Sequence, residues 1–156
     1  VELALTHPSR RHQEGAAADN ERLEFLGDAI LGAVVASRLY ADDSAAEEGD
    51  LSERRAAVVS RTALAEVALR IGIDEVLMLG EGEASRGGAR RPAALAAAFE
   101  ALIGAIYLTH GFAAATTFIE GHMSAELAAP RAALGKGIKT LLQEWTQAAG
   151  LGLPHV

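Results

Sequence analysis

NERLEFLGDAILGAVVASRLY, residues 20–40, is the stretch whose reading decides the fold. It reads as one helix. Asn20 is placed to cap its N-terminus, and Glu21 stands in the first turn, where the helix dipole favours a carboxylate. Leu23, Leu26, Ile30, Val34 and Leu39 recur at roughly helical spacing and predict the core-facing stripe. Three carboxylates are set onto this apolar helix: Glu21, Glu24 and Asp28. Their spacings of three and four bring them onto one face. Such a stripe is commonly a solvated face. If it is buried it needs something positive, because unpaired charge in an apolar setting is costly.

The rest of the chain has the material for one helical domain. It holds 156 residues, half of them apolar and only 4% aromatic, so Ala, Leu, Val and Ile must build the core. The abundance of Ala favours helix. No segment is read as approaching the length and apolarity of a membrane span, and no charged-then-apolar start resembles a secretory leader. The absence of cysteine excludes disulfides and thiolate metal sites and agrees with a cytoplasmic location. A net charge of −7 argues against a broad basic surface that coats a polyanion.

Outward from the central stretch, VELAL at residues 1–5 reads as the tail of a helix that Pro8 breaks, followed by a polar loop carrying Arg10, Arg11 and His12. Residues 42–50 form an acidic turn. EGDLSERRAAVVSRTALAEVALRIG then predicts one helix over 51–70, closed by Gly72, with Val58, Val59, Leu64, Val67 and Leu69 buried. Gly80, Gly82, Gly87 and Gly88 mark a flexible loop that ends in Arg90 and Arg91. Pro92 suits a first helical turn. From there AALAAAFEALIGAIYLTHG predicts a nearly apolar, central helix to about Thr109, stopped at Gly111. Its one charge is Glu100, and a lone carboxylate in so apolar a helix demands a partner. Residues 112–127 predict a further amphipathic helix, in which His122 is a boundary residue rather than a ligand. AAPRAALGKG reads as a linker, and IKTLLQEWTQAAG as a last helix. No internal repeat is present.

ERLEFLGD, residues 21–28, resembles the signature of the ribonuclease III family at all eight positions, and LTHPS, EGDLSERRAAVV, LGEGEASRGG and AFEALIGAIYLTHG follow the family's order. KTLLQEWTQAAGLGLP is similar to the first helix of a double-stranded-RNA-binding domain. The division expected is a nuclease domain over 1–128, a linker over 129–137 and the start of a truncated RNA-binding domain over 138–156. The resemblance implies an all-α fold that pairs as a two-fold homodimer, with Phe25 inserted into the partner subunit. It implies a Mg²⁺-dependent (or Mn²⁺-dependent) endonuclease that cuts double-stranded RNA to 5′-phosphate and 3′-hydroxyl ends. No membrane and no nucleotide cofactor are expected.

On matching positions, the resemblance makes Glu24 and Glu100 metal ligands and has Asp28 act through a water. Glu48 lies beside the metal site in the family, and LTHPS lies near the place of RNA processing. Hard carboxylate oxygens suit Mg²⁺. The sequence departs from the family at one position: where the pattern has an Asp three residues before Glu100, this chain has Ala97. The expected consequence is a site weakened, or compensated by Glu48 or Asp50. Arg10, Arg11, Arg54, Arg55, Arg90 and Arg91 are the candidate phosphate contacts. Two other readings stand beside the nuclease: a non-cleaving RNA-binding or regulatory dimer of the same fold, and a helical interaction domain unrelated to RNA.

Overall fold

A computed structural model describes residues 1–12 and 18–129; the linker and last helix expected beyond 129 lie outside them. The architecture is all-α, as expected. Seven α-helices follow in chain order: α1 (Glu21–Asp42), α2 (Glu48–Val58), α3 (Arg61–Arg70), α4 (Ile73–Val76), α5 (Glu81–Ala84), α6 (Pro92–His122) and α7 (Ser124–Ala128). Three short 3₁₀ turns, Glu2–Leu5, Pro8–His12 and Gly88–Arg90, complete the described elements. No strand is found among the described residues; one isolated parallel bridge joins Thr6 to Met78.

The core lies where α1 and α3 pack on α6. Leu31, Val35 and Leu39 of α1 meet Leu64 and Val67 of α3 and Leu95, Phe99 and Ile103 of α6, all fully buried or nearly so. Phe99 stacks obliquely on Phe118, with ring centroids 5.7 Å apart. The core face of α1 is thus rotated from the expected one. Its buried residues are Gly27, Leu31, Val34, Val35 and Leu39, whereas Leu23, Leu26 and Ile30 are only half-buried. The rotation follows from Gly27, which takes the innermost place where α1 crosses α6.

Asn20 precedes α1 but does not cap it with its side chain. It is fully buried, and its Nδ2 donates to the Ala4 carbonyl at 3.2 Å while its N–H donates to Thr6. The capping acceptor is Asp19, whose Oδ1 receives the Glu21 N–H at 3.1 Å. The N-terminal segment is a 3₁₀ turn rather than the tail of an α-helix.

The helix expected over 51–70 is two helices. Ser60 adopts an extended conformation between α2 and α3, and its Oγ accepts the Ala63 N–H at 3.3 Å, so it caps α3. A serine hydroxyl that competes for backbone donors favours a cap over a helix interior. Helix α2 also starts earlier than expected, at Glu48, so Glu48 and Asp50 lie in its first turn. Leu69, expected in the core, is exposed. The Gly80–Arg91 loop is partly helical, with α5 and a 3₁₀ turn held by ion pairs from Arg91 to Glu83 (2.6 Å) and from Arg90 to Asp74 (2.9 Å).

Helix α6 begins at Pro92 as expected and is broken at Gly111, with φ 82° and ψ 179°. That conformation is open to glycine and strained for other residues. The second arm runs to His122, and Met123 separates it from α7. One expectation is overturned here: α6 is long and apolar enough to cross a membrane by length and composition. Its apolarity has a nearer cause, since it is the helix on which α1 and α3 pack.

Candidate active site

The site is built at the crossing of α1 and α6. Gly27 and Gly104 face each other there. A methyl group at 27 would overlap the Glu100 carbonyl, and one at 104 would overlap the Leu23 carbonyl. Only glycine lets the two backbones come this close. Glu24 lies one turn before Gly27 and Glu100 one turn before Gly104, so the crossing brings the Glu24 charge within electrostatic reach of Glu100, both half-buried. Asp28, one turn after Glu24, joins them on α1.

The electrostatics of this cluster are those of crowded like charge. Burial, then Asp28 and Glu24, push the Glu100 carboxyl from its ordinary 4.5 up to about 7, against the pull of Arg61. Glu24 is raised as well, by burial first and then by Glu21 and Asp28, again opposed by Arg61. Glu21 does not join the cluster with a free carboxylate, because Arg11 donates to it at 2.5 Å and also pairs with Asp19. Arg61 was not among the residues singled out by the sequence. It is exposed at the first position of α3, set there by the Ser60 cap. The signal that could have found it was the serine just before it.

The residues present suit a hard divalent cation in donor type and charge. Burial and crowding raise the two half-buried carboxyls, Glu24 and Glu100, and a cation beside them would relieve that repulsion. They do not make a ready cage: among the described residues no group of three or more His, Cys, Asp or Glu is gathered closely enough to hold a metal ion by itself. Ala97, half-buried one turn before Glu100, offers no oxygen.

Glu48 is not brought to the cluster. Its Oε1 accepts from Ser52 Oγ at 2.7 Å, it lines a separate hollow with Tyr40 and Arg55, and it is not among the charges acting on Glu24 or Glu100. The six candidate arginines are dispersed. Arg11, Arg90 and Arg91 are committed to ion pairs. Arg54, with its side chain only 15% exposed, lies 3.6 Å from Asp43. Arg55 is exposed, and Arg10 is half-buried with an unpartnered Nε. The LTHPS and LGEGE segments, read separately in the sequence, are tied together: the Ser9 N–H donates to His7 Nδ1 at 3.1 Å, and Ser9 Oγ accepts the Gly80 N–H at 2.9 Å.

Immediately after Glu24 in α1, Phe25 is 81% exposed. It borders an open hollow of about 700 Å³ together with Leu3, Leu23, Leu26 and Leu108.

Comparison with known proteins agrees with this architecture. The family model described as Ribonuclease-III-like matches residues 1–127. The chain is 48% identical over 144 residues to the Ribonuclease 3 of Albidiferax ferrireducens, covering 92% of this chain and 63% of that protein. It is 46% identical over 158 residues to that of Mycolicibacterium paratuberculosis, covering 99% and 67%. It therefore spans about two-thirds of the length of these relatives. A solved nuclease domain of ribonuclease III from Campylobacter jejuni, described for structural flexibility in its dimer-forming region, superposes with a TM-score of 0.75 at 38% identity, over 80% of this chain and 85% of that one. With signature, fold and relatives in agreement, the chain belongs to the ribonuclease III family.

Proposed function

We propose that this chain is the nuclease domain of a divalent-metal-dependent endonuclease that hydrolyses double-stranded RNA as a homodimer. The observation that carries the reading is the meeting of two half-buried carboxylates, Glu24 and Glu100, with the exposed Asp28 at the Gly27–Gly104 crossing. Glu24 and Glu100 would hold Mg²⁺ or Mn²⁺ directly, and Asp28 through a water. When bound, the ion supplies a Lewis acid for the phosphate and an acidified water for attack. The protein's own part is to keep the carboxylates fixed on two helices whose backbones touch, so that little reorganisation accompanies catalysis.

Ala97 favours a slower enzyme, because one anionic donor fewer must be replaced by water. The same residue supports the second reading, a dimer that binds RNA without cleaving it. Duplex RNA incubated with the chain and Mg²⁺ separates the two. Cleavage that disappears in Glu100→Ala supports the first, while metal-dependent binding in Ca²⁺ with no cleavage in Mg²⁺ supports the second. Absence of both counts for an interaction domain unrelated to RNA.

The homodimer is supported by Phe25 and Leu108, large apolar side chains 81% and 65% exposed beside one hollow. A cytoplasmic location, and a division at about residue 128 before an RNA-binding domain, complete the proposal. A net charge of −7 predicts weak duplex binding by this chain alone, dependent on divalent metal and on salt. Tight metal-free binding in physiological salt counts against it.

A further inference from the structure

We propose that Arg11 is a positioning residue for the metal site: by tying Glu21 to Asp19 it withholds a fourth carboxylate from Glu24, Asp28 and Glu100. The proposal rests on the nuclease reading above and deepens it. Three observations carry it. First, Arg11 holds two acids at once. Its Nη2 donates to Glu21 Oε2 at 2.5 Å, and its Nε pairs with Asp19 Oδ2. Second, one of those acids is an anchor. The Asp19 side chain is only 3% exposed, and its Oδ1 accepts the Glu21 N–H at 3.1 Å, so it is fixed at the start of α1. A guanidinium already held by an anchored carboxylate loses less freedom on taking a second one, and its fork of donors can serve both. Third, Glu21 stands three residues before Glu24 on α1. That spacing puts the two side chains on one face, with Cβ atoms about 5–6 Å apart.

Released from Arg11, the half-exposed Glu21 carboxylate is free to turn one helical turn along α1, toward a cation held at Glu24. A hard divalent ion is bound by the number and charge of its oxygen donors. Position 97 supplies none, so Glu21 is the spare acid on the same face of α1 that stands next to the proposed ligands. Arg11 neutralises it and fixes it toward Asp19 instead. The ion pair thus sets the cation affinity of the site below what its acids could reach, without touching a ligand.

The experiment is Mn²⁺ binding to the full chain without RNA, followed through the electron paramagnetic resonance of the free ion. The chains compared are the unaltered one, Arg11→Gln, Glu21→Gln, the two changes together, and Arg86→Gln as a control for net charge. Arg86 is exposed and forms no ion pair among the described residues. The expected result is a Kd several-fold lower for Arg11→Gln. Glu21→Gln alone should change little, yet added to Arg11→Gln it should return the Kd to that of the unaltered chain. Arg86→Gln should match the unaltered chain. Because Arg11→Gln strands the buried Asp19, Arg11→Gln with Asp19→Asn is measured too, and the same tightening is expected. A merely structural role for Arg11 predicts weaker binding, not tighter. A Kd that is unchanged or higher in both Arg11→Gln chains overturns the proposal and leaves the nuclease reading intact. So does a Glu21→Gln effect of equal size with and without Arg11, which is the mark of charge acting through space alone. No Mn²⁺ binding by any of these chains overturns both.

Discussion

Glu24 and Phe25 are neighbours in sequence on one helix, and their surroundings are opposite. Glu24, a charged residue, is half-buried against α6. Phe25, a large apolar one, is exposed. On the first side the chain closes on itself through two glycines, and the carboxylates at the seam are crowded beyond what Arg61 offsets. On the second side the apolar surface lacks a cover. Simple burial rules place each residue on the wrong side. The inversion gives α1 two unfinished faces, one of crowded carboxylates and one of uncovered apolar surface, which the proposed cation and the proposed second chain would complete.

The largest effect is expected on the closed side. Glu100→Ala should abolish cleavage of duplex RNA in Mg²⁺ while leaving the helical circular dichroism unchanged. A variant that still cuts removes Glu100 from the site. On the open side, Phe25→Ala should turn dimer into monomer, since losing a buried Phe costs about 3–5 kcal/mol. Sedimentation showing an intact dimer at low micromolar concentration would end the distinction between the faces. Gly27→Ala probes the seam itself. Its methyl overlaps the Glu100 carbonyl, and overpacking of this kind costs about 1–3 kcal/mol or more. The unfolding midpoint should drop by several degrees or more, whereas Gly32→Ala, with nothing near its added methyl, should not lower it.

A smaller effect is the pH dependence of metal-free stability. Glu100 titrates at about 7 in the fold against an ordinary 4.5, so between those values the folded state holds a proton the unfolded chain has released. The stability contributed is therefore complete below about 4.5 and lost as pH rises through about 7; Glu24 adds the same sign. Urea unfolding in a chelator should weaken over that window, and Glu100→Gln should flatten the dependence. A profile that strengthens with pH and is unchanged by Glu100→Gln contradicts the crowding described for the seam. The smallest effect is expected from Ala97→Asp, which should raise the cleavage rate at limiting Mg²⁺ and lower the metal concentration required. If the chain with Ala97 is already as fast there, position 97 is not a ligand position.

Much of the seam was legible before any coordinates. Helical spacing located α1, Pro92 and Gly111 bracketed the first arm of α6, and a lone glutamate in an apolar run singled out Glu100. Family resemblance joined Glu100 to Glu24 and Asp28. What escaped was set by pairs distant in the chain or by single backbone torsions. Gly27 looks like any glycine until Gly104 is opposite it. The expected stripe through Leu23, Leu26 and Ile30 was off by part of a turn because the closest approach uses a residue with no side chain. Ser60 splits one apparent helix into two through its own torsion, which hydrophobic spacing does not register. Arg61 went unremarked for the same reason, since its place depends on that split. Glu48 matched a family position, but its carboxylate is taken up by Ser52 within α2.

The contact of Gly27 with Gly104 also has a bearing on the order of events in folding. About half of the chain lies between these two residues. Closing so long a loop carries an entropic penalty that nearby contacts do not, so the crossing belongs with the slow, non-local steps. Helix α3, with its own serine cap, can begin to form locally; the acidic cluster cannot. Glu24 and Glu100 remain far apart until the two helices dock, and a chain caught before that moment has helices but no cutting centre.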